Sequence, residues 1–140
     1  MAETVLFPRV QRLARTYLLA ELGARGKSQP VVSKQPGTIP NQWIRIVSQG
    51  GPRSIWEWEP MLNVFVYAND EVVAEGNSNL VHSLLLDAPG VEIEVPEYDG
   101  AYRWIRRARH VSGPHNLGDE DLPDLEMFRI VVIWHLLPIP

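Results

Sequence analysis

The stretch that decides the fold is Met61 to Ala88, MLNVFVYANDEVVAEGNSNLVHSLLLDA. Its first residues alternate between two faces and are mostly β-branched or aromatic, which is typical of a strand. The spacing of apolar residues then changes from that of a strand to that of a helix. Asn69 suits a helix N-cap, and Asp70 and Glu71 follow where the helix dipole favours negative charge. An amphipathic helix that directly follows a strand has to pack on a sheet. The apolar stripe of this helix is predicted to contain Val73, Leu80, Val81, Leu84, Leu85 and Ala88.

The segments on either side of this stretch supply the other parts of the fold. A first helix is predicted from Thr4 to Leu22. Two long irregular segments are expected, one at 23–41 with a short edge strand at Val31-Val32, and one at 112–126. Residues 1–140 are thus predicted to form a single α+β domain, a mainly antiparallel sheet packed with two principal helices. The other predicted strands are Trp43–Gln49, Ile55–Pro60, Val91–Tyr98, Tyr102–Val111 and Met127–Leu137, the last near the middle of the sheet.

The composition excludes several classes of protein. The 140 residues contain no cysteine, which rules out disulfides, thiolate nucleophiles and zinc–thiolate sites. The net charge of -4 argues against a general nucleic-acid-binding protein, which normally carries a basic surplus. No apolar run approaches the roughly 20 residues that cross a bilayer, and the first residues lack the apolar region of a signal peptide. We therefore expect that the protein is synthesised in the cytoplasm and does not associate with a membrane.

The segment IWEWEP, residues 55–60, combines two tryptophans with two carboxylates. As a strand it would present Trp56 and Trp58 on one face and Glu57 and Glu59 on the other. The tryptophans either stack on a sugar or a base, or pack on the core or on a neighbouring chain, and packing is the favoured interpretation. A glycosidase needs two carboxyl groups that face each other across a cleft, and nothing in the sequence supplies that cleft.

Arginines are dense in YRWIRRARHV, residues 102–111, which contains Arg103, Arg106, Arg107 and Arg109. With Tyr102 and Trp104 nearby, they partly match a groove for single-stranded nucleic acid. The alternative is a hairpin in which acids of the preceding strand neutralise them by cross-strand pairing, and we favour that interpretation. The acids concerned are Glu92, Glu94, Glu97 and Asp99.

The sequence contains no recognisable catalytic or metal-binding motif. His82 and Ser83 are adjacent on a helix, so their side chains diverge and cannot form a Ser–His dyad. His110 and His115, with acids of the following loop, leave a metal site open as an alternative, although solvent-facing histidines are the favoured interpretation. The acidic loop lacks the ligand spacing of a calcium-binding EF-hand. The prediction is therefore a protein that is not an enzyme and has no catalytic, cofactor-binding or metal-binding residues.

The order of elements along the chain resembles that of the tail terminator proteins of long-tailed bacteriophages. The matching segments are RIVSQGG at 45–51, VFVYANDEVVAEGNSNLVHSLLL at 64–86 and FRIVVIWHL at 128–136. This resemblance implies a subunit of a ring, typically of six copies, that caps the finished tail tube and later joins it to the filled head. It also implies a place at the neck end of the virion tail, after assembly in the host cytoplasm. It brings no catalytic residues, because the matching positions belong to the scaffold.

The implied partners are other copies of the chain, the tail tube protein and the head-connector protein at the neck. A ring requires one surface of a subunit to meet a different surface of the next. Acids of the 112–126 loop that meet arginines of a neighbour would provide that complementarity. A net acidic ring would also let DNA pass through its lumen without specific binding. The interface candidates are Arg53, Trp56, Trp58, Arg106, Arg107, Asp119, Glu120 and Asp121.

Three other functions remain open at the level of sequence. The nearest is another neck or head-completion protein of a phage. A ligand-binding module that stacks its ligand on Trp56, Trp58 and Trp104 belongs to a different class, and so does a hydrolase that uses the loop histidines.

Overall fold

The computed structural model describes residues 4–140, which form two helices on one face of a five-stranded sheet. Strand β1 (Val31–Val32) is parallel to β2 (Gln42–Gln49). The sheet continues through β3 (Met61–Ala68) and β7 (Glu126–Leu136) to β6 (Ile105–Asn116), and these neighbours are antiparallel. The predicted α+β class is confirmed. In this part of the chain, neither helix combines the length and apolar character that a membrane span requires. The elements are α1 (Val10–Ala24), β1 (Val31–Val32), β2 (Gln42–Gln49), β3 (Met61–Ala68), α2 (Glu71–Asp87), β4 (Ile93–Glu94), a 3-10 turn (Pro96–Tyr98), β5 (Ala101–Tyr102), β6 (Ile105–Asn116) and β7 (Glu126–Leu136).

Strand β7 lies between β3 and β6, so its predicted place near the middle of the sheet is confirmed. Trp134 on this strand is fully buried, and its indole N–H donates to the Leu85 carbonyl of α2 at 2.9 Å. The ring of Tyr17 on α1 packs edge-on against the same indole, with 6.0 Å between ring centroids. One side chain therefore joins the sheet to both helices. The face of β7 that meets the helices consists of Phe128, Ile130, Val132, Trp134 and Leu136, all buried.

Both helices begin later than predicted. Helix α1 begins at Val10 with Arg9 as its N-cap, because Pro8 disfavours helical geometry at the residue before it and the Leu6 carbonyl accepts instead from Ile139 N–H at 2.7 Å. In α2 the N-cap is Asp70, whose carboxylate accepts from the N–H groups of Val72 and Val73, so the prediction of Asn69 was wrong.

The buried stripe of α2 differs from the predicted one in its first turns. Val73 is 37% exposed, whereas Ala74, Asn77 and Ser78 are buried. The Asn77 amide donates to Gln42 Oε1 at 2.9 Å, which satisfies part of its hydrogen-bonding capacity at the sheet edge. The apolar prediction holds for the second half of the helix, where Val81, Leu84, Leu85 and Ala88 are buried.

The hairpin predicted between Val91–Tyr98 and Tyr102–Val111 forms only at its turn end, where Ile93 pairs with Tyr102. Only the two-residue strands β4 and β5 pair there, and β6 pairs with β7 instead. Pro96 cannot donate to a strand ladder, and a 3-10 turn begins at this residue. Strand β6 also runs through Asn116, so residues 112–116 belong to the sheet and the connecting loop is 117–125. Gly113 (φ +88°) allows this course, since a Cβ there would overlap the Arg129 carbonyl oxygen.

The segment between β2 and β3 is an ordered turn and not the predicted strand Ile55–Pro60. Only Trp58 forms bridges, one to Arg53 and one to Leu136. The Ser54 hydroxyl accepts from the N–H groups of Trp56 and Glu57 at 3.1 and 3.2 Å, which closes a tight turn. Alternation along the sequence therefore did not produce a regular strand here, because local side-chain bonds hold the backbone in another shape.

Candidate functional site

One face of the sheet is covered by the helices. The second, which we call the outer face, is covered by no helix of residues 4–140. Register places Arg45 of β2 and Arg129 of β7 on either side of Phe65, all three on this face. Two further arginines come from β6, where Arg107 lies opposite His135 and Arg109 opposite Ile133. The outer face therefore gathers positive charge from three strands.

One end of the outer face is covered by loops of the same chain. Trp43 and Tyr67 stack there with ring centroids 4.1 Å apart. Leu122 and Leu125 of the 117–125 loop pack against this pair. The Tyr67 hydroxyl donates to Asp119 at 3.0 Å, and burial together with this carboxylate raises the pKa of Tyr67 to about 12.

Of the three acids predicted at the interface, Asp119 is therefore used inside the chain. Its other oxygen accepts from the Asp121 N–H at 3.0 Å, so it also fixes the turn of the loop. Glu120 and the Asp121 side chain are exposed and form no ion pair within residues 4–140. These two acids are the ones that a partner can reach.

The two tryptophans of the 50–60 segment do not share a face, contrary to the prediction. Trp58 is half-buried and packs edge-on against Phe7, with 6.2 Å between ring centroids. The Arg53 guanidinium lies 4.7 Å from the Phe7 centroid and 5.9 Å from that of Trp58. Trp56, by contrast, is 74% exposed, and its neighbour Ile55 is 59% exposed. Of the predicted residues Arg53, Trp56 and Trp58, only Trp56 is presented outward as a large apolar side chain.

Of the acids that were expected to neutralise the arginine cluster, only Glu92 forms an ion pair with a member of it in the described part of the chain. Arg106 instead reaches Glu57 at 3.5 Å, and Arg103 pairs with Glu92 only at 3.9 Å. Arg107 and Arg109 are exposed and have no ion-pair partner in the described part of the chain. Arg107 and Arg109 lack the expected partners because β6 lies beside β7. The β7 residues opposite these arginines are His135 and Ile133, and neither carries a carboxylate.

The histidines of β6 lie on opposite faces of the sheet. His110 is opposite Val132 on the helix side, whereas His115 is opposite Arg129 on the outer face. The alternative of a metal site that uses both is therefore excluded by register. His110 Nδ1 instead lies 2.9 Å from Nε2 of His82 on α2.

This histidine pair predicts a loss of stability on acidification. Burial, and then the neighbouring His110, lower the pKa of His82 below 6.5. The unfolded chain therefore takes up a proton more readily than the folded chain, and stability falls as the pH drops from about 6.5 through the folded pKa. Urea unfolding at about pH 7.5 and about pH 5.5 should show a smaller drop in midpoint for His82→Gln than for the wild type. Equal drops would contradict the assignment.

The sequence analysis did not find one cluster of acidic and histidine side chains, which consists of Glu57, Glu59 and His135. Glu57 and Glu59 flank Trp58, and Nδ1 of His135 contacts Glu57 Oε1 and lies 3.0 Å from Glu59 Oε1. His135 is 8% exposed. Within residues 4–140 this is the one group of three histidine or acidic side chains whose possible metal-binding atoms all lie within 4.8 Å of one another. The available signal was the E-W-E spacing, which points both carboxylates the same way, but no local pattern connects it to a residue 78 positions away.

No protein-family model and no curated protein sequence matches this chain. A solved structure does. The fold is similar to that of a chain in the virion of a native gene transfer agent (GTA) particle. The two chains superimpose with a TM-score of 0.53 at 14% sequence identity, over 91% of this chain and 94% of the GTA chain. The likeness is one of fold, and it extends over nearly the whole of both chains.

The three tryptophans of the ligand-binding alternative do not form a common stacking surface. Trp104 is 1% exposed, and its indole N–H donates to the Ile93 carbonyl at 3.0 Å. Trp58 is half-buried against Phe7, which leaves Trp56 alone at the surface. A single exposed indole cannot sandwich a sugar or a base between rings.

Proposed function

We propose that this chain is a structural virion protein, a tail terminator that forms a ring on the end of a tail tube and provides the surface for joining the head. The observation that supports this most strongly is the shared fold with a chain of the GTA virion, which extends over 91% of this chain and 94% of that chain. The order of elements that resembles the tail terminator family supports the finer assignment. The mechanism is assembly: one surface stops growth of the tube and another receives the head connector.

The distribution of charge supports contact between copies. Arg107 and Arg109 lie near one end of β6, whereas Glu120 and Asp121 lie in the loop at its other end. The strand from Arg109 to Asn116 spans about 23 Å at about 3.3 Å per residue, so these arginines and acids do not meet within one copy. A head-to-tail arrangement, in which each copy presents a different surface to each neighbour, brings them together and closes a ring.

Reversing these charges tests the interface. Arg107→Glu with Arg109→Glu should weaken self-association by about tenfold or more, because like charges then face each other across the contact. Glu120→Arg with Asp121→Arg should weaken it similarly, and all four changes in one chain should restore it. Sedimentation velocity measures the effect, with Arg12→Glu on α1 and Arg25→Glu at its C-cap as a control of equal charge change. Unaltered association in both reversed variants would exclude this interface.

The function itself is tested with tail tubes of the same virion. Electron microscopy in negative stain should show a ring at one end of each tube when the purified chain is added, and tubes assembled in its presence should stop growing. A DNA-filled head should then join only the capped end. Tubes that stay bare and continue to grow would overturn the proposal, and binding only to tails that are already capped would indicate another neck or head-completion protein.

A net acidic ring suits the passage of DNA. Tight binding to phosphates depends on dense Lys and Arg contacts, and this chain carries a net charge of -4. If Arg107 and Arg109 are occupied by acids of the neighbouring copy, they are not available to phosphates. The proposed ring would therefore let DNA move through its lumen without specific binding.

A further inference from the structure

We propose that Glu57, Glu59 and His135 form a binding site for a divalent transition metal ion, of which Zn²⁺ is the best-fitting example. The proposal goes beyond the structural role above, which needs no metal. It depends on the geometry of three donor groups that come from two distant parts of the chain.

The backbone fixes where these donors point. Trp58 N–H donates to the Leu136 carbonyl at 3.1 Å, and Leu136 N–H donates back to the Trp58 carbonyl at 2.7 Å. This bridge places Glu57 and Glu59 on the two sides of Trp58 and next to His135, which precedes Leu136. The Glu59 N–H also donates to the Pro52 carbonyl at 2.9 Å. The donors are therefore held together by main-chain contacts as well as by contacts with one another.

Gly51 packs directly against the backbone of Glu59. A Cβ at this position would overlap the Glu59 carbonyl oxygen and come within 2.8 Å of its carbonyl carbon. The chain can therefore fold back over Glu59 only with glycine at position 51. A preorganised donor set loses less conformational freedom when it binds an ion.

The electrostatics favour a cation between the two carboxylates. Nδ1 of His135 can carry only one proton, whereas carboxylate oxygens of both Glu57 and Glu59 approach it. A divalent ion would instead accept the Nδ1 lone pair and one oxygen from each of Glu57 and Glu59. Arg106 approaches the other Glu57 oxygen, Oε2, at 3.5 Å. A contact of this kind orients a carboxylate whose first oxygen binds a metal.

The donor set selects the class of ion. One imidazole nitrogen and two carboxylate oxygens match the ligands that Zn²⁺ takes in proteins, whereas Ca²⁺ and Mg²⁺ prefer oxygen alone. The side chains of His135 and Glu57 are 10% and 24% exposed, and that of Glu59 is 35% exposed. A fourth ligand, water or a group from a partner, would therefore approach from the side of Glu59.

A bound ion would connect the exposed Trp56 to the sheet. Trp56 directly precedes Glu57, and β7 carries His135, so the metal bridges the turn that presents the indole and the central part of the fold. The ion would hold this turn in one conformation before any partner binds. The predicted consequence is a higher unfolding temperature for the metal-bound chain.

Titration with Zn²⁺ alone tests the site. The protein used is the full chain without a histidine tag, after treatment with a chelator. We expect one ion per chain with a dissociation constant of about 1 μM or lower, and Glu59→Gln should weaken binding by about tenfold or more. His135→Gln should do the same, and Co²⁺ should give a visible absorption band that both variants lack. Because Glu59 lies at the surface, its variant is expected to stay folded, which circular dichroism checks.

The matched controls are Glu120→Gln and His115→Gln, which make the same chemical changes at exposed positions outside the site. They should bind Zn²⁺ as the wild type does. Wild-type binding in Glu59→Gln, or no binding by the wild type at this affinity, overturns the proposal. Capping of tail tubes is scored separately with and without Zn²⁺, so failure of the metal site is distinguishable from failure of the capping function.

Discussion

Trp134→Ala is expected to lower the free energy of unfolding by about 4 kcal/mol, the largest effect on stability that we predict. The side chain is fully buried and packs against both helices from β7. Its removal leaves a cavity at the point where sheet, α1 and α2 meet, and it also leaves the Leu85 carbonyl without its indole donor. Urea unfolding followed by far-UV circular dichroism measures the loss through the shift in midpoint at constant slope.

Trp134→Phe separates the two contributions. It keeps most of the apolar volume but removes the hydrogen bond to Leu85, so we expect a loss of about 1 to 3 kcal/mol. If Trp134→Ala costs less than about 1 kcal/mol, the indole does not hold the two helices on the sheet in the way described.

Trp56→Ser is expected to have the opposite profile, with little effect on stability and a large one on assembly. Trp56 is 74% exposed at the surface of an ordered turn, and its backbone bond to Ser54 does not depend on its side chain. Stability should therefore change by less than about 0.5 kcal/mol. Under the proposed function, loss of an indole that anchors an interface should weaken self-association or tube capping by about thirtyfold, or about 2 kcal/mol. Sedimentation velocity and the capping assay measure it.

The control for this variant is Trp56→Phe, which keeps an aromatic ring at the same position. It should retain most of the binding, because apolar contact area is the main contribution of such anchors. Val72→Ser is a second control, since Val72 is 79% exposed at the start of α2 and lies outside the 50–60 turn. Capping by Trp56→Ser at wild-type concentration would show that this turn does not contact the tube or a neighbouring copy.

The sequence by itself determined the central part of the fold. The alternation over Met61–Tyr67 and Met127–Leu137 specified two strands and the apolar faces that they turn to the helices, and the change of period that follows the first of them specified α2. It did not specify the burial of Asn63, Tyr67 and Val131 on the opposite face. These features depend on the local period of apolar residues, which short stretches of sequence carry in full. The edge position of Val31–Val32 was also predicted correctly. The predicted ends of the helices were less accurate. Asp70 is the N-cap of α2 because its carboxylate accepts from the N–H groups of Val72 and Val73, and these hydrogen bonds are seen only in the folded chain.

Only the tertiary structure decided which segments meet. Strand β6 pairs with β7 and not with the acidic segment before it, so Arg107 and Arg109 form no ion pair within residues 4–140. The same long-range choice brings His135 to Glu57 and Glu59. The spacing of apolar residues along the sequence indicates that one face of a helix or strand is buried, but it does not specify which other element covers that face. That selection depends on how all the apolar faces pack together in one core, so the candidate interaction and metal sites became visible only in the folded chain.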